Sequence, residues 1–83
     1  MNLLPEQCRA ARALLNWSQE RLAACAGVSR STIKDFECHR HALQRATEKL
    51  LVRALEGGGV LLLADEHEGP GVRLRQGAGP ARR

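Results

Sequence analysis

Apolar residues recur at helical spacing through the first part of this chain and at strand spacing near its end. Cys8, Ala11, Leu14 and Leu15 stand at i, i+3, i+6 and i+7, which predicts a helix over residues 5–15. Pro5 opens it at the first helical position, where its missing N–H costs nothing. Two shorter helices follow, with Leu22, Val28, Ile33 and Phe36 as their shared inward face. A fourth is expected from Leu43 or Gln44 to Glu56. Its buried side would be Leu43, Thr47, Leu50, Leu51, Ala54 and Leu55, and the run Gly57-Gly58-Gly59 would stop it. The apolar run Val60-Leu61-Leu62-Leu63-Ala64 then reads as a strand, residues 65–71 as a turn-rich loop, and the alternating Val72-Arg73-Leu74-Arg75 as a second strand. The expected fold is mostly α: four helices with a C-terminal β-hairpin.

The centre of the pattern is the pair of short helices. Ser18 and Ser29 are placed to cap them, because a serine oxygen accepts from amide N–H groups left unpaired in the first turn. Trp17 with Leu22, and Val28 with Ile33, have the spacing of a hydrophobic staple, which makes Trp17 a core residue before a base-stacking one. The fuller capping box is absent, since Arg21 and Thr32 stand where Glu or Gln would reach back. Between the helices Gly27 supplies a positive-φ residue for a sharp turn. Ala23 and Ala26 are small where the helices would cross. The outward residues of the second helix are Ser29, Arg30, Ser31, Thr32, Lys34 and Asp35. Short donors and cations without an exposed apolar residue suit the edge of a DNA groove.

The pattern of Ala23, Gly27, Val28, Ile33 and Phe36, with Gln19 opening one helix and Glu37 closing the next, resembles the helix-turn-helix of the phage-repressor and Cro-like regulators (the lambda-repressor-like, xenobiotic-response-element type). The resemblance covers residues 6–55. It implies a second helix lying in the major groove and a homodimer reading two half-sites. It also implies that Arg12 pairs with Glu37, tying the first helix to the reading helix. Ser29, Arg30, Ser31, Thr32, Lys34 and Asp35 would face bases, with Arg30 the first choice for a bidentate guanine contact. Ser18, Gln19, His39, Arg40 and Arg45 would hold the sugar-phosphate backbone. Relatives often carry Gly where His39 stands and Pro near Leu43, so His39 is expected in a left-handed conformation. The Gly71-Val72-Arg73-Leu74 stretch resembles the closing strand of short bacterial members.

Composition narrows the classes. The chain has 83 residues and a net charge of +4, with basic residues dominating over 30–53. That balance favours a polyanionic partner. An odd count of three cysteines argues against a disulfide framework. No stretch approaches the ~18 consecutive apolar residues of a membrane span, and no secretory pattern opens the chain, so a cytoplasmic, nucleoid-associated protein is expected.

Cys38-His39-Arg40-His41 offers thiolate and imidazole, with Cys25 on the preceding helix, but a single cluster lacks the paired spacing of a zinc site. A redox role for Cys25 or Cys38 lacks a resolving partner. Neither paired carboxylates in a pocket nor a nucleophile with its base is evident, and the triple glycine ends a helix, the wrong context for a phosphate loop. Neither enzymatic activity, cofactor nor metal is expected. The organisation reads as a DNA-binding domain over 1–57, a hairpin extension over 58–76 and a disordered tail over 77–83. The hairpin and the fourth helix both remain open as the dimer interface. The function expected is a sequence-specific transcriptional regulator, a homodimeric repressor on double-stranded DNA. The alternatives are the antitoxin of a toxin–antitoxin pair and a module that binds a protein partner instead of DNA.

Overall fold

A computed structural model of the chain describes residues 2–64 and 68–75. The expected tail over 77–83 and part of the hairpin loop lie outside the described residues. Four helices and two strands follow in order: α1 (Pro5–Leu15), α2 (Gln19–Ala26), α3 (Arg30–Glu37), α4 (Arg45–Gly58), β1 (Val60–Leu63) and β2 (Gly71–Leu74).

The boundaries have local causes. The Ser18 oxygen accepts the Arg21 N–H at 2.9 Å and starts α2; the Ser29 oxygen accepts the Thr32 N–H at 3.2 Å and starts α3. Gly27, at φ 74°, ends α2 and lets its own N–H reach Ala23 O at 2.8 Å. Asn16 takes the same left-handed form, φ 58°, at the end of α1. Asparagine is the residue after glycine that adopts it most readily, so the end of α1 also has a local cause. His39 has φ 63° after α3, the conformation expected for that position.

α1 packs against α3, α4 and both strands, α2 against α3 and α4, and α4 against β1. Leu15, Leu22, Ile33, Leu51, Leu55, Val60 and Cys8 are the largest fully enclosed side chains, each aliphatic one contributing about 2 kcal/mol. The strands pair antiparallel from Val60 opposite Leu74 to Leu63 opposite Gly71, and Arg75 N–H to Gly59 O at 2.8 Å extends the ladder. Val60, Leu62, Val72 and Leu74 join the core, so one face of the hairpin is covered by the helices of its own chain.

The fourth helix differs from expectation at three points. It begins at Arg45, leaving Leu43 half-buried in the preceding loop. Leu50 is 40 % exposed, not buried: it stands about 100° around the helix from Leu51, and the core needs only the Leu51–Leu55 line. Gly57 and Gly58 continue the helix, and Gly59, at φ 113°, ends it. Gly58 is helical and small because α4 there meets α1 and the Trp17 ring. A Cβ on it would lie 2.8 Å from Trp17 Cη2 and 2.9 Å from Leu15 Cδ1. The second strand likewise begins one residue early, at Gly71.

Candidate nucleic-acid interface

α3 divides cleanly by burial. Ile33 and Phe36 are enclosed, while Ser29, Arg30, Ser31 and Lys34 are exposed and Thr32 and Asp35 half-exposed. All the outward positions are polar or charged. Three hydroxyls gather at the N-terminus of α3: Ser29 Oγ lies 2.7 Å from Thr32 Oγ1 and 3.2 Å from Ser31 Oγ. Ser29 with Ser31 and Thr32 thus forms a hydroxyl cluster at the cap, and Arg30 and Lys34 are the exposed cations of this face.

Beside α3 a cleft of about 360 Å³ is lined by Ser31, Thr32, Asp35, His41, Gln44 and Thr47, among others. It brings the start of α4 alongside the outward face of α3. Arg40 and Arg45 are both exposed, one on the loop after α3 and one opening α4. His39 places its Nε2 3.4 Å from Glu6 Oε2, with both side chains largely in solvent. Ser18 is exposed at the start of α2, and Gln19, half-buried, donates its Nε2 to Glu37 Oε1 at 3.0 Å.

Glu37, 3 % exposed, is the centre of a network behind α3. Arg12 donates from Nε to Oε2 at 2.8 Å and from Nη2 to Oε1 at 2.7 Å. Its Nη1 reaches Trp17 O at 3.0 Å, and Arg9 donates to the main-chain oxygen of Glu37 itself. Burial pushes the Glu37 carboxyl up, but the hydrogen bonds donated by Arg12, Gln19 and the Cys8 thiol outweigh it and hold the group below the usual carboxylate range. Its hydrogen bond to Glu37 raises the Arg12 guanidinium further against the opposing effect of burial. Burial, then the Glu37 carboxylate, pushes the Cys8 thiol far up, which keeps it protonated and unreactive. Arg9 and Gln7 were not singled out from the sequence, because their partners are distant in the chain.

Cys25 and Cys38 are exposed free thiols. Among the described residues no three His, Cys, Asp or Glu side chains are grouped to hold a metal ion. Among the same residues no helix is long and apolar enough to cross a membrane.

The comparisons with known proteins bear on this face. No curated protein matches the chain. A family model described as helix-turn-helix matches residues 9–37, from the body of α1 to the end of α3. Over that stretch, which holds the caps, the Gly27 turn and the Arg12, Gln19 and Glu37 side chains, the chain is similar to the lambda-repressor/Cro-like family of DNA-binding helix-turn-helix regulators.

Proposed function

We propose that the protein is a homodimeric repressor whose α3 enters the major groove at each half of an inverted repeat. The observation that carries this reading is the division of α3: its apolar residues are enclosed and every outward position is a hydrogen-bonding or charged group. Arg30, Ser31 and Lys34 read base edges, with Ser29, Thr32 and Asp35 around them. Ser18, Gln19, His39, Arg40 and Arg45 hold phosphates and fix the register without reading sequence. The Arg12–Glu37 pair keeps α3 at a fixed angle to α1. Such binding places the protein on the nucleoid, in the cytoplasm.

A small helical domain gains affinity and length of operator by pairing. Two features support the hairpin as the joint. Leu61 is 38 % exposed, on the opposite face of β1 from Val60 and Leu62. The sheet also has only two strands, so each keeps an edge that a second copy can extend. Protection of operator DNA from cleavage, with sedimentation of the complex, tests the reading. Two protected patches related by two-fold symmetry and a mass of two chains per duplex are expected. One patch and one chain would contradict it.

A further inference from the structure

The two buried polar side chains among the described residues, Glu37 and Gln7, both belong to junctions made by α1. Gln7 sits in the first turn of α1 at 3 % exposure. Its Oε1 accepts the Leu4 N–H at 3.1 Å. Its Nε2 donates to Leu63 O at 2.8 Å and to Gly71 O at 3.1 Å. Leu63 and Gly71 are the last paired residues before the hairpin loop, so one amide grips both strands at once. Arg12 follows five positions along α1, about 7.5 Å by helical rise, and holds Glu37 at the end of α3. α1 is thus a stiff bar with the hairpin fixed at one joint and the recognition helix at the other.

The hairpin's remaining attachment is largely apolar, through Val60, Leu62, Val72 and Leu74. Burial of that kind is non-directional and tolerates sliding and rocking, and a two-stranded sheet has little stiffness of its own. At its α4 end the hairpin is tied through Gly59, whose carbonyl accepts the Arg75 N–H at 2.8 Å; at its loop end the directional constraint comes from Gln7. We propose that Gln7 is a positioning residue: by locking the hairpin to α1 it sets the distance between the two recognition helices in the dimer, and so the half-site spacing the protein accepts. This rests on the reading of the chain as a dimer joined through its hairpin.

The test titrates the full chain against duplexes whose two half-sites are moved apart one base pair at a time, with a single half-site duplex in parallel. Two variants are compared. Gln7→Met keeps the side-chain length and removes all three hydrogen bonds; Gln7→Glu keeps the acceptor for Leu4 and loses the donor. The wild type should show a sharp optimum of spacing. Both variants should bind the single half-site as the wild type does and lose about tenfold of their preference for the optimum, the equivalent of one buried hydrogen bond. Amide exchange supplies a second readout: Leu63 and Gly71 should open faster in the variants while α2 and α3 keep wild-type rates. An unchanged spacing optimum, or exchange accelerated uniformly through the domain, overturns the positioning role. A wild type indifferent to spacing overturns the dimer reading itself, and it does so before any variant is used.

Discussion

Arg12 and Glu37, 25 residues apart in the chain, meet in a two-pronged ion pair at 2.8 and 2.7 Å that fastens α1 to the end of α3. The carboxylate side chain is 2 % exposed and the guanidinium 18 %. Removing one partner strands the other charge in an environment that water barely reaches. Arg12→Ala or Glu37→Gln should each cost about 3 kcal/mol of stability, read as a drop in the urea midpoint at neutral pH.

The same pair makes stability depend on acid. The folded Glu37 carboxyl titrates below its ordinary value of 4.5. Its contribution is therefore complete above that value and is lost as the pH falls through the lower folded one. Urea midpoints of the wild type should fall over that acid range. Those of Glu37→Gln should start lower and change less across the same interval. Parallel curves for the two proteins would contradict the assignment.

Two neighbouring glycines should respond in opposite directions. Gly58→Ala places a methyl group 2.8 Å from Trp17 Cη2 and should destabilise by about 2 kcal/mol through overpacking. Gly57 is also helical, but nothing lies within 4 Å of a Cβ there. Gly57→Ala should stabilise by about 0.5 kcal/mol, since alanine loses less backbone freedom in a helix. Thermal midpoints of the two variants give the comparison directly.

His39 holds φ 63° in a loop where glycine would be unstrained. Its contact with Glu6 at 3.4 Å is solvent-exposed and contributes little. His39→Gly should therefore raise stability by about 0.5–1 kcal/mol. A lowered melting midpoint would show that the imidazole contact outweighs the backbone strain.

On DNA, the cations should separate by role. Arg30→Ala should cost about 1–3 kcal/mol and relax preference at one base pair. Arg40→Ala and Arg45→Ala should instead reduce the salt dependence of binding by about one unit of slope each, uniformly over sequences. If Arg40→Ala alters base preference while leaving the salt slope unchanged, its assignment to the backbone is wrong.

What could be read from the sequence follows the range of each interaction. Ser18, Ser29 and Gly27 act on groups within a few residues, so the ends of α2 and α3 are legible from composition and spacing alone. The alternation of Val72, Arg73 and Leu74 likewise reports a strand. Leu50 and Gly58 are not legible in this way. Which side of α4 is enclosed, and how far the helix runs, depend on Trp17 and Leu15 arriving from elsewhere. Asn16 carried a local signal that Gly27 overshadowed. Arg9 and Gln7 resemble ordinary surface residues of an N-terminal helix, and their partners lie 28, 56 and 64 positions away. Only the packed molecule brings them together. The pairing of Arg12 with Glu37 entered through family resemblance, and no local periodicity announces it.

The most direct measurement is fluorescence anisotropy of the full chain on duplexes selected from a randomised pool, against scrambled duplexes, over a series of salt concentrations. The account predicts that selection converges on an inverted repeat with half-sites about one helical turn apart. It also predicts that preference over scrambled DNA persists as salt weakens both. Selection that fails to converge, with binding that is equal on all duplexes and vanishes with salt, would show a basic surface without a reading helix and would contradict the role given to α3.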